Sequence, residues 1–373
     1  MKTAFLYSDK YFAYDYGASH PLKIERLRLT FDLCREFGLF GLPGSELVET
    51  RAASEAEILR FHTRPYVENL KQASAGKVGG DPACGLGPGD NPVFPGLWEW
   101  SLLHTGASIQ CAELVAGGNA RIAFNIAGGL HHAAAGRASG FCYVNDPVLA
   151  IIHLLDWGKR VMYLDLDAHH GDGVQWAFYD DPRVLTVSFH QDGRTLFPGT
   201  GDFSETGRGR GVGHAINVPM LPGADDQVFW NGFERLIPRL LDAFRPEVVV
   251  TQLGVDTFLS DPLAALRFTT HGFSRVVSYL TREAPAWVAL GGGGYDLSNV
   301  ARAWTLAWAL MNGIELPDEI PAAAVGLLRG HGVRTEKLRD PEHISPWRET
   351  CQHYMDECLD YLEANVLPRL CRG

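Results

Sequence analysis

No run of residues approaches the ~18 consecutive apolar positions of a bilayer-spanning helix, so the chain is not expected to enter a membrane. Cysteine is sparse and unpatterned. The seven (Cys34, Cys84, Cys111, Cys142, Cys351, Cys358 and Cys371) are odd in number and never spaced C-x-x-C. That offers no disulfide framework and predicts reduced, mostly buried thiols of a cytoplasmic protein. Positive charge is in deficit, with 33 Lys and Arg against 44 Asp and Glu. The resulting −11 argues against a nucleic-acid backbone as partner and is compatible with cationic substrates. Internal repeats, low-complexity tracts and linkers are also missing. The opening Met1 to Tyr7 carries one Lys and breaks into Ser8-Asp9-Lys10, which reads as a first strand and not a signal peptide.

What is present is a globular composition, 46% hydrophobic and 21% charged, in 373 residues. A length of this order fits one α/β unit, so 1–373 is read as a single domain. Pro21 to Leu39 carries apolar residues near helical spacing and closes at Gly38. Ser54-Glu55-Ala56-Glu57 matches a capping box. Gly76 to Pro95 is too rich in glycine and proline for regular structure and reads as a long functional loop. From Arg121 a rhythm sets in. Apolar strand candidates at 122–125, 161–164, 184–189, 248–253 and 287–290 alternate with helical stretches at 144–157, 173–179, 225–244, 272–283 and 297–311. Continuous apolar strands alternating with helices predict an α/β fold with a mostly parallel sheet sandwiched by helices. Ligands of such sheets bind beyond the carboxyl ends of the strands.

The polar residues of interest all follow those ends. Tyr163-Leu164-Asp165-Leu166-Asp167-Ala168-His169-His170-Gly171-Asp172 packs three carboxylates and two imidazoles into ten residues. Alternation along a strand would point Asp165, Asp167 and His169 the same way. Carboxylates and an imidazole on one buried face call for a cation, and Asp256 is the best third ligand beside Asp167 and His169. Gly254, two residues before it, offers no side chain to a second metal. His131-His132 follows Gly128-Gly129, and in a glycine-preceded loop both rings can reach one cavity. Asp165 and Asp172 could each accept the second ring N–H of one histidine, which fixes its tautomer and raises its basicity. Two such pairs beside a polarised water make a general base and a general acid. Gly291 to Gly294 then brings Tyr295 to the rim, where a phenol could stabilise a developing oxyanion.

These motifs resemble the histone deacetylase family, including its bacterial acetoin-utilisation (AcuC-like) members. The resemblance runs from His20-Pro21-Leu22-Lys23 to Trp304. It takes in Gly89-Asp90-Asn91-Pro92-Val93-Phe94, His131-His132, Ser139 to Asp146, Asp165 to Val174, Leu196 to Asp202 and Gly291 to Tyr295. It implies an arginase/deacetylase fold and one catalytic zinc per chain at Asp167, His169 and Asp256. His131 (with Asp165) and His132 (with Asp172) would activate water and protonate the leaving amine, with Tyr295 on the substrate carbonyl. Gly140, Phe141 and Phe197 would line a narrow tunnel, and Asp90 would hold the substrate backbone at its mouth. A structural potassium would use Asp165, Asp167, His169, Ser188 and Phe189. The implied activity is removal of acetyl groups from acetyl-lysine of proteins or peptides, in the cytoplasm of a bacterium.

Departures from the family bound the inference. Pro262 stands where class I nuclear members carry a basic residue, and the tail after Met311 has no Lys/Arg-rich tract but offers helical runs such as Trp347 to Leu362. No corepressor and no nuclear residence are inferred. Residues 312–373 read as a variable extension that packs on the domain or mediates self-association, and the oligomeric state stays open. Three alternatives stand beside the main reading. The substrate could be a small acylated amine such as an acetylpolyamine. An arginase-like binuclear hydrolase is opposed by Gly254, the tunnel phenylalanines and Tyr295. An inactive acyl-lysine binding scaffold would have no need of every reactive position being filled.

Overall fold

A computed structural model describes residues 2–370; Met1, expected at the head of the first strand, and Cys371 lie outside the described residues. Eight strands form one sheet: β1 (Thr3–Tyr7), β2 (Ser45–Glu49), β3 (Ile122–Asn125), β4 (Val161–Asp165), β5 (Val184–Gln191), β6 (Ala215–Met220), β7 (Val248–Gln252) and β8 (Trp287–Leu290). Their order is β2-β1-β3-β8-β7-β4-β5-β6, and every pairing is parallel. The expected α/β architecture is therefore present, with a sheet that is wholly parallel. All strands except β2 are buried along their length. Alternation sends successive side chains to opposite faces. Phe5, Phe124, Leu164 and Trp287 enter one core, while Leu6, Ala123, Tyr163 and Val288 enter the other. Helices cover both faces, as burial on two sides demands.

Caps mark where several helices begin. Ser54 and Glu57 form the reciprocal capping box expected there. Asn145, Asp225 and Asp296 each accept first-turn N–H groups, at the heads of Asp146–Asp156, Asp226–Phe244 and Leu297–Met311. The helix expected over 21–39 is shorter, Glu25–Glu36. The tail helix Arg348–Asn365 lies against Asp226–Phe244, where Arg235 meets Glu363 at 2.8 Å and Asp360 at 2.6 Å. Six described cysteines are unpaired, five of them buried. No helix of the described residues is long and apolar enough to cross a membrane.

The register positions the chemistry. One row across the sheet reads Asn125, Leu290, Gln252, Asp165, Ser188 and Asn217. This mostly polar row closes β3, β8, β7 and β4 at their carboxyl ends and crosses β5 and β6 mid-strand. The loops leaving β3, β8, β7 and β4, four neighbours at the centre of the sheet, meet above it.

Candidate active site and metal centre

β4 ends at Asp165, so Asp167 and His169 stand on the following loop and not on the strand face that alternation suggested. Side-chain carboxylates fold that loop. Asp165 Oδ1 accepts the Asp167 N–H at 3.1 Å, Asp167 Oδ1 accepts the His169 N–H at 3.0 Å, and Asp256 Oδ1 accepts the Ala168 N–H at 2.9 Å. Asp167, His169 and Asp256 are all buried, and their ligand atoms lie within 4.8 Å of one another. His169 Nδ1 is 3.0 Å from Asp167 Oδ1 and 3.0 Å from Asp256 Oδ2. Asp165 stands apart from this group.

The electrostatics are those of a place that wants positive charge. Burial opposes a charged imidazole, yet the hydrogen bonds and charges of Asp167 and Asp256 lift His169 to about 10. Burial together with the charge on Asp167 pushes Asp256 up to about 7. Two oxygens and one nitrogen from buried Asp, His and Asp suit a divalent metal with an open position, zinc foremost. Space for further side-chain ligands is closed off. A Cβ on Gly254 would stand 2.3 Å from Asp167 Oδ2, and one on Gly293 2.2 Å from Asp256 Oδ2. The acid that a second metal would require at 254 therefore has no room.

Beside this group stand the two histidines. His131 Nδ1 lies 2.7 Å from Asp165 Oδ2, His132 Nδ1 2.7 Å from Asp172 Oδ1, and the two Nε2 atoms 2.9 Å apart. Each Nδ1–H is engaged by a carboxylate, so one Nε2 must donate to the other and the pair holds one extra proton. The pKa directions agree. Burial would lower His131, but the charges of Asp165 and Asp167 and the Asp165 hydrogen bond outweigh it and hold it at about 9. Burial and the charge on His131 bring His132 down to about 4, despite Asp172. His131, His132, Gly140, Phe141, Asp167 and Tyr295 all border one narrow cavity of about 20 Å³. Burial, reinforced by Asp256 and Asp167, raises the Tyr295 phenol well above its ordinary pKa, so it stays a donor.

The remaining expected residues are placed unevenly: Gly140 and Phe141 border that cavity, while Phe197, Asp90, Ser188 and Phe189 are not among its walls. Phe197 sets its ring edge-on to His132, with centroids 5.1 Å apart, and Phe141 does the same to Tyr295 at 5.6 Å. Gly140 sits between His132 and Phe197: a Cβ there would be 2.5 Å from His132 Cδ2 and 2.9 Å from Phe197 Cε1. Asp90 is exposed on its loop, its main-chain carbonyl 3.2 Å from His20 Nε2. Ser188 is register partner to Asp165, but its hydroxyl bonds His190 Nδ1 at 2.9 Å. The Phe189 ring packs on Phe229, away from the ligand group.

Four supporting residues had gone unassigned. Asp146 accepts the Gly129 and Leu130 N–H groups, both at 2.9 Å, and so fixes the backbone leading to His131. Gln252 donates to Asp167, and Tyr163 donates to Asp165 at 2.7 Å. Buried Arg26 donates to the Gly294 carbonyl at 3.0 Å. A lone Gln closing the apolar strand Val248–Gln252 was the one signal available in advance.

A family model described as a histone deacetylase domain matches residues 20–311. The acetoin utilization protein AcuC of Bacillus subtilis is 38% identical over 358 residues, spanning 94% of this chain and 87% of that protein. Histone deacetylase 1 of Homo sapiens is 39% identical over 332 residues, 86% of this chain and 66% of its own length. Among solved structures, an HDAC homologue from Aquifex aeolicus superposes with a TM-score of 0.86 at 34% identity, covering 96% of this chain and all of that one. The eight-stranded parallel sheet and its helices match that structure.

Proposed function

The chain belongs to the histone deacetylase family, and on that premise we propose that it is a zinc-dependent deacetylase acting on Nε-acetyl-lysine of proteins or peptides. The observation that carries the reading is one cavity bordered by Asp167, two carboxylate-backed histidines and a protonated phenol. Asp167, His169 and Asp256 would hold the metal, which when bound supplies a Lewis acid to the acetyl carbonyl and acidifies water. Iron or cobalt would suit the same donors, because geometry and supply govern metal choice.

The chain's own residues move the protons. The neutral imidazole of the His131–His132 pair accepts a proton from water as its oxygen bonds to the carbonyl carbon. The pair returns a proton to the amine nitrogen as the C–N bond breaks, leaving acetate and free amine. Asp165 and Asp172 engage each Nδ1, which leaves the two Nε2 atoms, 2.9 Å apart, to hold and pass the protons. Tyr295 donates to the carbonyl oxygen while negative charge grows on it. Phe141 and Phe197 would flank the lysine methylenes, with Gly140 leaving the gap between His132 and Phe197 open. Asp90, exposed on its loop, would accept N–H groups of the substrate backbone.

A structural potassium at Asp165, Asp167, His169, Ser188 and Phe189 belongs to this reading, supported by the family resemblance and the β4–β5 register. Residues 312–373 are read as an extension of one domain, in keeping with the ties from Arg235 to Asp360 and Glu363. Unpaired cysteines favour the cytoplasm. The test is acetate release by metal-loaded protein from an acetyl-lysine peptide and from an acetylpolyamine. Turnover of the polyamine alone would change the substrate class, and turnover of neither would reject the proposal.

A further inference from the structure

The amino ends of the strands carry a second concavity, on the opposite edge of the sheet from the candidate active site. A cleft of about 820 Å³ is lined there by Arg160, Arg210, Arg245 and Arg369, with His214 and Asp242 among the other walls. Arg160 immediately precedes β4, and Arg245 caps the helix Asp226–Phe244 just before β7. β4 has five residues, so at ~3.3 Å per residue the cleft lies roughly 16 Å or more from Asp167 and His169.

Four arginines against one aspartate give this lining a formal +3 (4 − 1), in a chain of net −11. Several other arginines pair with carboxylates, as Arg51 does with Glu57, Arg235 with Glu363 and Arg329 with Glu336, while single exposed ones such as Arg137 and Arg334 do not among the described residues. None of the four cleft guanidinium groups forms an ion pair within 4.0 Å among the described residues, although Glu247 accepts the Arg160 backbone N–H at 3.1 Å. Three of them have defined settings. Arg160 lies 4.7 Å over the Phe244 ring, which orients its charge without neutralising it. Arg245 occupies the left-handed region at φ 51, uncommon for a residue with a side chain. Gly213 permits the close approach of Arg369, for a Cβ there would stand 3.1 Å from the Arg369 Cβ. His214 Nδ1 is buried with no hydrogen-bond partner.

Four arginines that outnumber the single aspartate of the lining repel one another and gather anions. Guanidinium forks match phosphate oxygens in pairs. The volume is that of a small-molecule site, and the chain's overall negative charge repels a long nucleic-acid backbone. We propose that this cleft binds a polyphosphate anion of small-molecule size, at a site separate from the acetylated substrate.

The experiment is isothermal titration of the full-length, zinc-loaded chain with pyrophosphate and, separately, ATP at low salt. One site per chain is expected, weakening as salt rises. Arg160→Gln and Arg245→Gln should each lower the affinity roughly tenfold or more, the factor that one charge-assisted hydrogen bond carries. Both are exposed positions, and unliganded melting and basal deacetylation should stay as in the parent. Arg329→Gln, which breaks a surface pair elsewhere, should leave binding unchanged. Equal affinities for the two probes mean that the phosphates alone are recognised; tighter ATP binding means that the nucleoside adds contacts. Absence of binding of both probes at millimolar concentration overturns the proposal, as does an equal loss in Arg329→Gln.

Discussion

Gly293→Ala tests whether Asp167 and Asp256 act together as metal ligands. Gly293 follows β8 and donates its N–H to Asp167 Oδ2 at 2.8 Å. A Cβ at 293 would stand 2.2 Å from Asp256 Oδ2 and 2.6 Å from Asp167 Oδ2, where ordinary contact begins at 3.4 Å. The carboxylates must then withdraw by about 1.2 Å (3.4 − 2.2) and 0.8 Å (3.4 − 2.6). Metal sites tolerate departures of only ~0.2 Å from ideal ligand distances. Loss of an outer partner costs roughly 10–100-fold in metal affinity, so displacing two ligands should cost at least about 100-fold. The backbone at 293 is not left-handed, so alanine brings no conformational strain of its own. Metal per chain after dialysis against a graded chelator series is the assay, with thermal melting of the metal-free protein as the check on folding. Gly326→Ala, where a Cβ meets nothing within 4 Å, is the control. If Gly293→Ala keeps the parent's metal affinity with its fold intact, the ligand assignment is wrong.

Tyr295→Phe should retain metal and fold but lower kcat by roughly 10²–10³, the usual loss of one oxyanion donor, with His132→Ala at least as damaging. Parent-like turnover in Tyr295→Phe would make the phenol structural. Asp90→Asn should cost roughly ten- to a hundred-fold in kcat/KM on an acetyl-lysine peptide and much less on a small acetylated amine. Equal losses on both would instead make Asp90 an organiser of its loop. The last prediction concerns acid stability. His62 accepts the Asn145 N–H through Nε2 at 3.0 Å, and burial lowers its pKa to about 4. The unfolded chain, with a His pKa of ~6.5, takes up that proton first, so stability falls as pH drops from about 7 toward 4. Between pH 8 and pH 5 the parent should lose about 2 kcal/mol more than His62→Gln in urea unfolding. Parallel losses in the two proteins would contradict this.

Strands β3 and β8 and the helix Leu297–Met311 were readable to the residue, because each is a compact apolar run bounded by polar or glycine-rich turns. β2 and β6 were not. They are the sheet's edges: β2 is half-exposed and charged, and β6 holds Pro219 where only an edge tolerates it. The helix Leu97–Ala116 also escaped, since it is buried on nearly all sides and shows no amphipathic period. At the candidate site, Asp167, His169 and Asp256 were legible because acids and imidazoles are rare at the ends of apolar strands. The supports were illegible for a physical reason. Asp146 acts on a loop 16 and 17 residues back, and Arg26 on a carbonyl 268 residues ahead. Such roles arise from tertiary proximity and leave no local pattern.

Titrating zinc back into metal-stripped protein, while following acetate release from an acetyl-lysine peptide, tests the central claim most directly. Activity should climb in proportion to bound zinc and level off at one ion per chain, with Asp256→Ala failing to climb at all. Activity that needs two ions per chain, or that persists undiminished in the stripped protein, would contradict the account.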